Sequence, residues 1–191
     1  MKLSERGFTL VELLVVIAII SLITLGATMT TFQIINVTRR SNDHVAAVRQ
    51  VQNAGYWISR DALMAQNAVV DDDPETAEFL TLNWTEWDFD EKKDPVVYYH
   101  EVTYSFRDLS GEIRKLERQY VVYEDKDRSE EGVTESKTNL IAQYIDYNPS
   151  MGFDGPTWAD YANPVLTVQI TASLGEASET KEYRVKHRPD F

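Results

Sequence analysis

A single carboxylate, Glu12, sits inside an otherwise uncharged run from Phe8 to Ile35. A carboxylate at the centre of a membrane-crossing helix costs about 2.5–3.5 kcal/mol on insertion scales, so such a group usually has a partner or a task. Glu12 lies one helical turn after Phe8. Either it snorkels to the membrane interface, or an opposite charge meets it within a packing surface of low dielectric. Elsewhere the residues for chemistry are sparse. His44, His100 and His187 show neither H-E-x-x-H nor any paired-ligand spacing. His100 and His187 fall in alternating apolar stretches, where a hydrogen-bonded structural histidine is expected. No G-x-S-x-G elbow, phosphate loop or dinucleotide fingerprint is present. The absence of cysteine removes disulfides, thiol catalysis and cysteine zinc sites together. Two acidic clusters, Asp71–Asp73 and Glu124, Asp125, Asp127, Glu130 and Glu131, raise the question of calcium. Calcium takes about six to eight oxygens from a shaped loop, and neither cluster has that spacing. Both read as solvated surface charge. The expectation is a non-enzyme with no metal site and no cofactor.

These residues must be placed by a chain of 191 residues, about one domain by length. With 43% hydrophobic and 26% charged residues it is neither a disordered tail nor a many-span membrane protein. Its 19 Lys and Arg stand against 31 Asp and Glu, a net charge of −12. That balance repels phosphate backbones and argues against nucleic-acid binding through a basic face. The run Phe8–Ile35 spans about 42 Å as a helix, longer than the roughly 30 Å hydrocarbon core. It exceeds the apolar core of a secretory signal, and no A-x-A-like site follows it. A plain signal anchor is the alternative. Lys2 and Arg6 precede the span while Arg39 and Arg40 follow it, so charge counting leaves orientation open.

The stretch Arg6-Gly7-Phe8-Thr9-Leu10-Val11-Glu12-Leu13 resembles the cleavage and methylation motif of type IV prepilins and type II secretion pseudopilins. A short charged leader precedes Gly-Phe-Thr-Leu-x-Glu, and an uninterrupted apolar helix follows. The resemblance covers residues 1 to about 40. It implies cleavage by a prepilin peptidase between Gly7 and Phe8, N-methylation of the new Phe8 amine, and a cytoplasmic leader. It also implies that Glu12 of one subunit meets the Phe8 amine of a neighbour during assembly. Many relatives carry a proline late in the membrane helix; here only Gly26 stands among Thr24, Thr28, Thr30 and Thr31, so helix melting during assembly is not indicated.

No strong breaker separates the span from Pro74, so the helix is predicted to continue over residues 36–70. Val37, Val45, Val48, Val51, Ile58 and Ala62 recur near a helical period, with Arg39, Arg40, Asp43, Arg49 and Arg60 on other faces. That stripe is expected to pack on the head domain. Beyond residue 71 the period becomes two. Leu80, Leu82 and Trp84 alternate with polar positions. Val96, Tyr98, His100, Val102, Tyr104 and Phe106 share one face, and Leu109-Ser110-Gly111-Glu112 supplies a turn into Leu116, Tyr120 and Val122. Asn139–Tyr147, Leu166–Ala172 and Tyr183–His187 complete about six strands. The segment Tyr144–Tyr161, with Trp158 and Tyr161, reads as a long loop packed over the sheet edge; a contact surface is the alternative.

The predicted fold class is α+β, a long N-terminal helix packed on a C-terminal antiparallel sheet. This order is similar to the pilin-like fold. Trp57-Ile58-Ser59-Arg60-Asp61-Ala62-Leu63 and the domain size resemble minor subunits of the J type and their pilus counterparts of the W type. The predicted organisation is a leader over 1–7, a membrane helix over 8–35, its amphipathic continuation over 36–70 and a sheet head over 71–191. The resemblance implies a filament subunit, with a minor one in a type II secretion pseudopilus as first choice. Its expected partners are prepilin peptidase, other pilin or pseudopilin subunits, an inner-membrane assembly platform and membrane lipid. Its expected location is the inner (cytoplasmic) membrane, single-pass with the N-terminus cytoplasmic and the head outside, then the filament and cell surface or the periplasm. The alternative is a surface adhesin or binding module carried by the same helix.

Overall fold

The computed structural model describes residues 9–71, 77–89, 95–107, 113–124 and 132–186. Gly7, Phe8, Asp72, Asp73, the turn Leu109–Glu112, the acidic run from Asp125 to Glu131 and His187 lie outside those residues. Helix α1, Leu10–Met64, opens the fold. Then follow β1 (Asn67–Val70), β2 (Glu78–Phe89), β3 (Pro95–Arg107), β4 (Ile113–Tyr123) and β5 (Val133–Asp146). A short 3₁₀ segment, Pro149–Asp154, leads to β6 (Trp158–Ala162), β7 (Val165–Leu174) and β8 (Ala177–Lys186). Every strand pairing is antiparallel, in the order β1-β2-β3-β4-β5-β7-β6 with β8 on β7. The expected α+β, pilin-like arrangement is the one observed. The chain divides into two compact units at Asn42, each containing part of α1.

In the first unit, the apolar residues from Leu10 to Ile35 meet no core of their own and stay exposed. It is the one helix among the described residues long and apolar enough to cross a membrane. The second unit buries the face of α1 formed by Ala47, Val51, Ala54, Gly55, Ile58, Asp61 and Ala62. That corrects the expected stripe, since Val37 and Val45 are exposed. Small residues displace the valines because the sheet comes close. Tyr183 of β8 lies over Gly55, where an added Cβ would fall inside the ring, and its hydroxyl donates to Val51 C=O at 3.0 Å. The turn between β7 and β8 needs Gly175 for the same kind of reason. Its φ is +61°, and a Cβ there would stand 2.8 Å from Asp43 Oδ2.

The predicted helix reaches residue 70, but α1 ends at Met64. Gln66 N–H instead donates to Asn83 C=O, and Asn67–Val70 pairs with Leu80–Asn83. Ala68 points inward and Val69 outward, and the β-branched pair Val69–Val70 suits an edge strand better than a helical turn. Strands β2 to β4 follow the expected alternation. Leu82 faces Val102 and then Tyr120; Phe106 faces Leu116. Strand β5 starts six residues earlier than expected, at Val133, because its first half is polar and solvated and has no apolar period to read. Within the expected long loop, β6 buries Ala159 and packs Tyr161 against the core.

Strand β5 bends at Tyr144, whose φ of +61° is uncommon for a non-glycine residue. Beside that bend two side chains of α1 act as strand partners. Gln50 Oε1 accepts Gln143 N–H at 2.8 Å, and Asn53 Nδ2 donates to Ile141 C=O. Backbone groups that would otherwise lack a ladder are thereby satisfied.

Candidate functional site

The motif region begins with Thr9 and Glu12. Glu12 Oε2 accepts Thr9 N–H and Thr9 Oγ1–H, both at 2.9 Å, and Glu12 N–H donates to Thr9 Oγ1 at 3.3 Å. Leu13 N–H then starts the helical ladder on Thr9 C=O. This reciprocal arrangement is a capping box: each side chain satisfies an amide that the first helical turn leaves unpaired. It explains how Glu12 is held inside one chain, and it gives Thr9 of the motif a capping role. The T-x-x-E spacing was the signal for it. Gly7 and Phe8, the expected cleavage site, lie outside the described residues.

Further along, polar side chains are turned back onto the helix. Ser21, Thr24 and Thr28 hydroxyls donate to the carbonyls of Ile17, Ile20 and Thr24 at 2.8 Å. Thr30 and Thr31 do the same to Gly26 and Ala27 at 2.9 Å. A hydroxyl that is already bonded i to i−4 costs little in hydrocarbon. The helix runs without interruption through Gly26.

In the second unit α1 places a buried, strongly polar constellation against β3 and β4. Asp61 is 1% exposed and Arg118 5% exposed. Arg118 Nε donates to Asp61 Oδ2 at 2.6 Å and Nη2 to Oδ1 at 3.1 Å, while Tyr104 O–H donates to Oδ2 at 2.5 Å. Burial would lower the guanidinium pKa, yet the hydrogen bonds and charge of Asp61 hold it above its ordinary value. Burial and the Asp61 charge push Tyr104 well above 10.0. Arg118 also stacks on Trp57 and Tyr120, at 5.2 and 5.3 Å from the ring centres. Trp84, His100 and Tyr120 form a stack across β2, β3 and β4. His100 Nδ1 meets Tyr120 Oη at 2.8 Å; Nε2 lies 3.4 Å from Glu86 Oε2 without the alignment of a hydrogen bond. Burial lowers the His100 pKa below 6.5, with Glu86 and Glu135 opposing.

Chemically, this constellation joins helix to sheet. Asp61 has both oxygens occupied by donors, so it offers no base to a substrate. Asp61, Tyr104 and Arg118 were not singled out from the sequence as a site, since 43 to 57 positions separate the partners. Among the described residues no three His, Asp or Glu side chains converge as a metal site.

Compared with known families, the chain matches the prokaryotic N-terminal methylation motif over residues 2–28. No curated protein and no solved structure matches it. The motif opens a helix long and apolar enough to cross a membrane, and together they support a protein similar to the type IV prepilins and pseudopilins.

Proposed function

We propose that the chain is a minor subunit of a type IV pilus or a type II secretion pseudopilus. Prepilin peptidase cuts after Gly7 and methylates the amine of Phe8, with residues 1–7 as the cytoplasmic leader. Residues 8–35 then hold the subunit in the membrane, and the sheet beyond residue 71 faces the exterior. The observation that carries this reading is the match over residues 2–28, with Glu12 at the start of the helix. Glu12 enters assembly by exchanging the neutral donors of Thr9 for the cationic Phe8 amine of a neighbour. A charge-assisted hydrogen bond is roughly twice as strong as a neutral one, which favours the exchange once the amine is free.

The test is intact mass and N-terminal peptide analysis of the full chain co-expressed with an active prepilin peptidase. A chain that begins at Phe8 with one added methyl group supports the reading. A chain that keeps residues 1–7, beside a control precursor that is cut, overturns it and leaves a signal-anchored surface domain.

A further inference from the structure

The upper part of the sheet has two open edges. Strand β5 pairs with β4 along its length, but on its other side it meets β7 at Ile145 alone. From Val133 to Leu140 no described strand lies beyond it, and seven of these eight residues are exposed. Strand β2 loses β1 after Asn83, and Gln66 Oε1 takes the next outward amide, that of Thr85. From Glu86 to Phe89 the outer edge has no described neighbouring strand, the Phe89 N–H donating to Asp88 Oδ1 at 2.7 Å, and all four residues are exposed. Open edges of this kind are templates for another chain.

The two edges match each other. Three antiparallel steps separate β2 from β5, so they run in opposite senses. A second copy in the same orientation therefore presents its β2 antiparallel to β5 of the first. Their charges are also complementary. Through Trp84, His100, Val122 and Glu135 in one row, the pairing puts Glu86 and Asp88 on the same face as Lys137 and Asn139. On that face Arg60, Lys137 and Glu135 line a cleft of about 350 Å³ together with Trp57 and Tyr120. Arg118, in the same cleft, is already neutralised by Asp61. The acidic edge thus meets one β5 cation, Lys137, with Arg60 behind it and Glu135 two residues away, in a chain of net charge −12.

We propose that copies of this chain join head to tail, the β2 edge Glu86–Phe89 of one adding to the β5 edge of the next. Lys137 stands opposite Asp88, Asn139 opposite Glu86, Thr138 opposite Trp87 and Ser136 opposite Phe89. The contact is heterologous, so it does not close on itself and extends the sheet from copy to copy. It is independent of the prepilin reading, since neither edge involves the N-terminal motif.

The chain has no cysteine, which gives a clean test. Full-length Thr138→Cys and Trp87→Cys chains, carrying different tags, are expressed together in one membrane and oxidised. The expected result is a mixed dimer, absent when either variant is present alone, and a ladder of higher species when both substitutions lie on one chain. Lys137→Glu in the Thr138→Cys copy cuts the adduct roughly tenfold, and Asp88→Lys in the Trp87→Cys copy restores it. Rescue by the opposite charge separates a contact from a folding defect. Absence of the mixed dimer overturns the proposal. So does a dimer from Ser136→Cys alone, which reports a two-fold contact of β5 with itself. The N-terminal mass of the same samples reports processing separately.

Discussion

Replacing Gly55 by alanine tests how closely helix and sheet approach. In an isolated helix the change is favourable by about 1 kcal/mol, because glycine is a poor helix former. Here the new methyl group falls within the Tyr183 ring, so that ring must leave its seat. Displacement breaks the Tyr183 hydrogen bond to Val51 C=O, about 1 kcal/mol, and uncovers part of a ring packed on the core. Overpacking in well-filled sites costs about 1–3 kcal/mol. Set against the helix gain, the net expectation is a loss of roughly 1–3 kcal/mol. Each kcal/mol lowers the melting temperature of a chain of this size by about 2–4 °C. The assay is urea and thermal unfolding of the full chain in detergent, followed by near-ultraviolet circular dichroism. Gly26→Ala is the control, since nothing stands within 4 Å of its added Cβ. It should be neutral or stabilising. If Gly55→Ala gains stability as Gly26→Ala does, the close seat of Tyr183 is wrong.

Asp61→Asn should lower stability by about 3–5 kcal/mol, because Arg118 stays charged and loses its buried counter-ion; urea unfolding of the single variant and of Asp61→Leu with Arg118→Met would show the pair largely compensated, and an unchanged single variant refutes a buried ion pair. His100 binds its proton less readily when folded than the ordinary 6.5, so below that pH the unfolded chain takes up protons first. Stability should therefore be full above about pH 6.5 and fall as pH drops toward the folded pKa, and His100→Phe should flatten that slope in melts across pH 7 to 5. Glu12→Ala should insert and be cleaved but enter filaments poorly, as read by the fraction in sheared filaments; normal incorporation would remove Glu12 from assembly.

What the sequence determined by itself is whatever depends on local order. The motif around Gly7, Phe8 and Glu12, the apolar length of the first helix and the alternation from Val96 to Phe106 each lie within one short window. Helical and strand periods are properties of consecutive residues, so they can be read without neighbours in space. The start of β5 at Val133 could not be read, because a strand exposed on its polar half carries no apolar period. Nor could the end of α1 at Met64, where pairing with Leu80–Asn83 outweighs further helical turns. Only the tertiary structure brought Asp61 to Arg118 and Tyr104, put Tyr183 on Gly55, and used Gln50 and Asn53 as strand partners. Those side chains are ordinary polar or small residues in sequence; their roles arise from burial, which charges a cost for every unpaired group and every misplaced methyl, and burial is fixed by the whole fold.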